Sequence, residues 1–122
     1  MLVCDAHADT LYRLAAEPDI PCDLTLSRLR QGGVALQALA LFGGKDPAPG
    51  AVHSLMRRML EQRDALLRNG WVQTDDPATA KEGEFRFFLT LEGCESFGES
   101  LAAIGEYRRM GARMAALTWN HE

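Results

Sequence analysis

The 122-residue sequence lacks several features that would assign it to a functional class at once. No stretch approaches the roughly 20 apolar residues that span a bilayer, and no basic segment precedes a longer apolar run, so we expect neither a membrane span nor a secretory signal. The net charge of −4 provides no basic surface for nucleic acid. No GxGxxG motif or P-loop follows the first apolar segment, which disfavours a doubly wound nucleotide-binding domain.

Cysteine is also scarce. Cys4, Cys22 and Cys94 are odd in number and show no CxxC spacing. This pattern is typical of free thiols in a reducing compartment rather than of a disulfide framework or a zinc ribbon. We therefore expect a cytoplasmic protein, and the 47 % hydrophobic and 25 % charged residues are those of an ordinary globular chain.

Hydrophobic patterning predicts strands that alternate with helices. The predicted strands are residues 2–5, 34–42, 85–93 and 112–120. The predicted helices lie within 22–33, with Asp23 or Thr25 as the cap, within 51–69, in a short segment that begins at 77, and within 98–111. The second strand is apolar except for Gln37, as in strands buried on both faces of a parallel sheet. Such alternation predicts an α/β fold with parallel strands, either an open sheet or part of a (β/α)8 barrel, which needs about 250 residues.

Polar side chains follow three of the four predicted strands. His7 and Asp9 follow the first strand, Glu92 ends the third, and His121 follows the fourth between Asn120 and Glu122. The carboxyl ends of parallel strands meet at one edge, where functional groups of such folds lie. Imidazole and carboxylate suit Zn²⁺, and a carboxylate can bridge two ions. Each group alone also fits an ordinary loop, turn or polar end.

The segments "DAHADT", "LTLEG" and "LTWNHE" together resemble the membrane (renal-type) dipeptidase family of zinc peptidases, whose members are amidohydrolase-like (β/α)8 barrels. The resemblance covers essentially the whole chain but only the N-terminal part of the family's domain. It implies an α/β fold in which residues 1–122 form a single region, the N-terminal half of a (β/α)8 TIM-type barrel with parallel strands. It also implies hydrolysis of the amide bond of dipeptides by a metal-activated water.

The resemblance further implies roles for individual residues. His7 and Asp9 become ligands of one zinc ion, and Glu92 becomes both a catalytic residue and the carboxylate that bridges two zinc ions. Asp5 is expected to orient His7, as carboxylates often do beside metal-bound imidazole. His121 is a candidate for binding the substrate, although relatives with a histidine in this loop have it directly after Leu-Thr, where Trp119 stands here.

The remaining parts of the family's site are not in this sequence. The resemblance assigns two further zinc-binding histidines, a substrate-binding arginine and a proton-transferring aspartate to later strands. His53 belongs to a predicted helix away from the strand ends, and Cys94 is interpreted as a small buried apolar residue. We therefore expect a fragment of a longer enzyme which, alone, aggregates or forms a homo-oligomer.

Two other interpretations stay open at this stage. The chain could be another amidohydrolase-type hydrolase acting on a cyclic amide or lactone, although the usual HxH signature of that group is HxD here. It could also be a non-catalytic α/β fragment that acts only by association with a partner chain. Metal stoichiometry separates these cases, because a binuclear site holds two ions and a bare fragment one or none.

Overall fold

Four parallel strands form one sheet in the computed structural model, which describes residues 1–45, 48–98 and 100–118. The strands are β1 (Val3–Asp5), β2 (Val34–Phe42), β3 (Arg86–Glu92) and β4 (Ala112–Ala116). Each strand pairs with the next along the chain, in the order β1-β2-β3-β4. The predicted α/β class with parallel strands is thereby confirmed, and β2 has the predicted bounds.

Four helices connect the strands: α1 (Thr10–Ala16), α2 (Leu26–Gln31), α3 (Pro49–Arg68) and α4 (Leu101–Arg109). Thr25 begins α2, because its side-chain oxygen accepts a hydrogen bond from the Arg28 N–H at 3.3 Å. The short helix predicted at residue 77 is a single 3-10 turn, Pro77–Thr79, which the Asp76 side chain caps. Among the described residues, no helix combines the length and the apolar character needed to cross a bilayer.

Helix α1 lies in a segment for which the sequence analysis predicts no helix. Asp9 occupies the position before its first residue, where aspartate is favoured because its side chain can cap the helix. Here that side chain makes no capping bond, since its carboxylate lies against His7 instead. The helix is stabilised by packing, and Leu11 is fully buried in the core.

The core lies between the sheet and its helices. Strands β2 and β3 pair without interruption from Leu36 opposite Arg86 to Phe42 opposite Glu92. Alternate residues of these strands pack with α1 and α3 in one cluster, and the central members are Leu39, Leu41, Phe87, Leu89 and Leu91. Because side chains alternate between the faces of a strand, Glu92 points to the face of the sheet opposite the one that α1 and α3 cover.

Strand β4 is shorter than predicted. It ends at Ala116, whereas the prediction continues to residue 120, and Leu117 and Thr118 follow the strand without belonging to it. Residues 119 and 120 lie outside the described part of the chain. The longer strand was predicted from Thr118 and Trp119, because β-branched and aromatic residues favour strands. Both residues follow Ala116, whose partner Glu92 is the last residue of β3 that pairs with β4. The side chain of Met114 on β4 is 52 % exposed, so this edge of the sheet is largely uncovered in the described structure.

Candidate metal centre

Three potential metal ligands meet at the carboxyl ends of two strands. His7 and Asp9 lie in the segment between β1 and α1, and Glu92 is the last residue of β3. Strand β2 lies between β1 and β3 and pairs with both. The parallel arrangement therefore brings residues that are far apart in sequence to one edge of the sheet.

The donor atoms of these three side chains lie close together. His7 Nε2 is 3.0 Å from Asp9 Oδ1 and 3.6 Å from Glu92 Oε2. One donor atom from each residue fits within a group in which all separations are at most 4.8 Å. The side chains of His7 and Asp9 are about half exposed and that of Glu92 is 29 % exposed, so an ion or a substrate can reach the group from solvent.

This donor set fits a zinc ion. Zinc takes imidazole nitrogen and carboxylate oxygen at about 2.0–2.2 Å, and two ligands of a tetrahedral ion are then about 3.3 Å apart. The two separations from His7 Nε2, 3.0 and 3.6 Å, lie on either side of that value. Two carboxylates this close repel each other unless a positive charge lies between them, which a protonated imidazole or a metal ion supplies.

Asp5 contributes to the site in a different way from the one expected. Its Oδ1 accepts a hydrogen bond from the main-chain N–H of His7 at 3.2 Å, so it orients the backbone of that residue, not the imidazole. Its Oδ2 accepts from the side-chain amide of Gln37 at 3.0 Å. Gln37 was missed as a functional candidate, although one polar residue in an otherwise apolar strand was a signal that could have identified it.

The sequence analysis sets aside two further residues, His53 and Cys94, as metal ligands, and Cys94, expected to be buried, is only partly buried. His53 is exposed on α3, where it lines a groove with Ser96 and Phe97 of the turn that follows β3, and it is not part of the group formed by His7, Asp9 and Glu92. Cys94 donates a hydrogen bond from Sγ to the Ala116 carbonyl oxygen at 3.3 Å. Burial, and then the neighbouring charge of Glu95, raise the pKa of the Cys94 thiol, which disfavours the thiolate that a metal requires. His121 lies outside the described residues.

A groove opens beside Asp9, one of the three donors. It has a volume of about 450 Å³ and runs between α1 and the segment that leads to α2. Its lining includes Asp9, Tyr12, Arg13, Glu17 and Asp23. Arg13 and Glu17 form an ion pair across one turn of α1. The groove provides both apolar and charged surface next to a donor of the candidate site.

Comparison with known proteins identifies the family of this arrangement. The sequence model of the family described as membrane dipeptidase, peptidase family M19, matches residues 1–122. A search of curated protein sequences gives no significant match.

Solved structures share the fold. Dipeptidase AC, described as a metallopeptidase of family M19, has 19 % sequence identity and a TM-score of 0.83 over 99 % of this chain and 45 % of its own. A metallopeptidase from Rhodobacter sphaeroides was solved liganded with a phosphinate mimic of the dipeptide L-Ala-D-Ala. It has 20 % sequence identity and a TM-score of 0.81, and the match covers 100 % of this chain and 46 % of its own. The probable dipeptidase PvdM from Pseudomonas aeruginosa has 19 % identity and a TM-score of 0.77 over 98 % and 35 %.

The chain spans less than half the length of each of these proteins. The predicted fold class, α/β with the parallel strand order of a half barrel, is confirmed by this likeness. The assignment of residues 1–122 to a single region of a larger barrel stays a prediction.

Proposed function

The chain belongs to the membrane dipeptidase family, peptidase family M19, and from this premise we propose that it carries one side of the metal site of a zinc-dependent dipeptidase. The observation that supports the proposal most directly is the convergence of His7, Asp9 and Glu92 at one edge of the sheet. An imidazole and two carboxylates at these separations are a donor set for zinc.

Each of the three residues has a distinct part in this proposal. His7 and Asp9, two positions apart on one segment, hold one zinc ion. Glu92 offers two carboxylate oxygens, so it would hold the same ion and could share a second one. When bound, zinc lowers the pKa of a coordinated water toward neutrality and polarises the scissile carbonyl. The role of His121 in binding the substrate stays a prediction.

The groove beside Asp9 is large enough to hold a small substrate. Its volume of about 450 Å³ lies within the 300–1,000 Å³ that is usual for small-molecule sites. The Rhodobacter sphaeroides relative was solved with a mimic of L-Ala-D-Ala. We propose dipeptides with small side chains, including those with a D-residue at the C-terminal position, as the substrate class.

Metal content and hydrolysis test this function together. The purified chain is loaded with Zn²⁺, desalted and analysed for metal per chain, and is then assayed with a panel of L,L- and L,D-dipeptides. Two zinc ions with hydrolysis support the binuclear dipeptidase, and one ion with hydrolysis supports a mononuclear one. Zinc without hydrolysis overturns catalysis by this chain and favours the non-catalytic alternative. Absence of zinc overturns the metal site.

Two other expectations stay predictions. The cytoplasmic location rests on the unpaired cysteines of the sequence. The homo-oligomer is supported by apolar surface exposed on the last strand of the sheet, where Met114 is 52 % exposed.

A further inference from the structure

Gln37 is a fully buried polar side chain in the middle of an apolar strand. Its amide nitrogen donates to Asp5 Oδ2 at 3.0 Å and to the main-chain oxygen of Ala38 at 3.1 Å. Both partners are acceptors, so the nitrogen of the amide, and not its oxygen, must face them. The orientation of the Gln37 side chain is therefore determined by its contacts.

Asp5 connects Gln37 to the candidate metal ligands. One oxygen of its carboxylate accepts from Gln37, and the other accepts from the His7 N–H at 3.2 Å. The Asp5 residue is exposed, so without Gln37 its carboxylate is free to turn toward water. Two hydrogen bonds on opposite oxygens hold the carboxylate in one orientation and thereby hold the backbone at His7.

A second bond attaches the same segment to β2. The Ala40 N–H donates to the Ala8 carbonyl oxygen at 3.0 Å. This bond joins main-chain atoms only and does not depend on the side chains. The link from Gln37 to Asp5 joins two side chains, so a single substitution can remove it.

Folding alone does not account for glutamine at this position. Gln37 Oε1 is buried and has no hydrogen-bond partner in the described part of the chain. A buried carbonyl oxygen without a partner opposes folding, because it has lost its bonds to water. An apolar side chain of similar length fills the same volume without this cost, so a glutamine here is best explained by what its nitrogen holds.

We propose that Gln37 is a positioning residue of the metal site. Acting through Asp5, it sets the backbone of His7 so that the imidazole of His7 and the carboxylate of Asp9 converge with Glu92. The proposal rests on the proposed function for the identity of the ion, but the positioning itself exists without metal. Gln37 touches neither the ion nor the substrate.

Gln37→Met tests the proposal, with Gln73→Met as the matched control. Gln73 makes an equivalent bond, from its amide nitrogen to the Met110 carbonyl oxygen at 2.8 Å, but lies near the amino end of β3. The first readout is hydrogen exchange at the His7 amide in the metal-free chain. The second is Zn²⁺ affinity, measured by competition with a chromophoric chelator, and the third is the melting temperature without metal.

We expect Gln37→Met to speed exchange at His7 several-fold and to weaken Zn²⁺ binding by about 10- to 100-fold, as the loss of a partner behind a metal ligand does. The melting temperature without metal should stay the same or rise. Gln73→Met should leave both exchange at His7 and Zn²⁺ affinity unchanged. Exchange at His7 that is unaltered by Gln37→Met overturns the proposal.

Asp5→Asn provides an independent test at an exposed position. Asparagine keeps an oxygen for the His7 N–H but turns an amide nitrogen toward that of Gln37, so exchange at His7 should again speed up. In the double variant, Gln37→Met added to Asp5→Asn should not speed exchange at His7 any further. A further increase as large as that of Gln37→Met alone would overturn the link through Asp5. If the wild-type chain binds no Zn²⁺, the proposed function fails, while exchange at His7 still decides this inference.

Discussion

His7 Nε2 lies 3.6 Å from Glu92 Oε2, although β1, which precedes His7, and β3, which ends at Glu92, do not pair with each other. Strand β2 separates β1 from β3, and the contact exists only when both pair correctly with it. The unfolded chain has no such group of donors. Binding of zinc should therefore be coupled to the folded state.

Zinc should stabilise the chain against unfolding. A ligand that binds only the native state adds about 2.7 kcal/mol at a free concentration 100 times its Kd. We expect the melting temperature to rise with Zn²⁺ concentration and to return to its starting value after EDTA, measured by circular dichroism. Mg²⁺ at the same concentration is the control, because it prefers oxygen ligands to imidazole. A melting temperature that does not respond to Zn²⁺ would contradict the site.

Removal of the imidazole should abolish most of the zinc affinity. His7 supplies the nitrogen of the three donors, so His7→Ala should weaken Zn²⁺ binding by more than about 100-fold, beyond the effect typical of an outer partner. His53→Ala, at an exposed histidine on α3, should bind Zn²⁺ as the wild type does. Isothermal titration calorimetry distinguishes the two variants. Equal losses in both would show that the ion binds elsewhere.

Glu92→Gln should separate stability from metal binding. Without metal, the substitution removes a negative charge next to Asp9, so the chain at pH 7 should be as stable as the wild type or more stable. The neutral amide is a poor zinc ligand, so the rise in melting temperature caused by Zn²⁺ should shrink or vanish. Glu106→Gln, on α4, changes the net charge equally and should keep that rise. A stabilisation by zinc that survives Glu92→Gln would remove Glu92 from the ligand set.

Leu39→Ala should destabilise the fold strongly. Leu39 is fully buried at the centre of β2, and truncation of such a leucine costs about 2–5 kcal/mol. Leu101→Ala is the control, since Leu101 on α4 is 84 % exposed and substitutions at such positions usually stay within about 0.5 kcal/mol. Urea denaturation measures both. Similar midpoints for the two variants would contradict the placement of the core.

The uncovered edge of the sheet should cause self-association. Met114 on β4 pairs with Thr90 and shares the face of Glu92. Met114→Lys places a charge on this face and should lower the apparent mass in sedimentation velocity toward 13.5 kDa. Leu101→Lys, on the outer helix α4, should leave the association unchanged. A wild-type chain that is monomeric at all concentrations would disprove the predicted oligomer.

The fold was predictable where a single physical cause dominates. The apolar residues of β2 leave no other interpretation than a strand buried on both faces, and its bounds are those predicted. Helix α1 was missed because Asp9 has two uses: its position is that of a helix cap and its side chain is that of a ligand. Strand β4 was predicted too long because its pairing stops where β3 ends. The length of a neighbouring strand cannot be read from the propensities of the residues in β4.

The site was predictable only in part, because some of its contacts depend on how the strands pair. The spacing of His7 and Asp9 is local, so the sequence alone places them together. The proximity of Glu92 follows once the order of the parallel strands is assumed. The bond between Asp5 and Gln37 depends on the register of β1 against β2, which shifts between Val3 and Cys4. The sequence of neither strand predicts this register, so the bond between Asp5 and Gln37 could not be predicted either.

Strand β2, which separates β1 from β3, also limits which side chains the metal site accepts. Neighbouring strands are about 4.8 Å apart, so β1, which precedes His7 and Asp9, and β3, which ends at Glu92, are separated by about twice that distance. Side chains of fixed length must close this gap. Aspartate in place of Glu92 would shorten the side chain by one methylene group, and a longer acid does not exist among the standard amino acids. We therefore expect position 92 to be restricted by the reach of its side chain as much as by its charge.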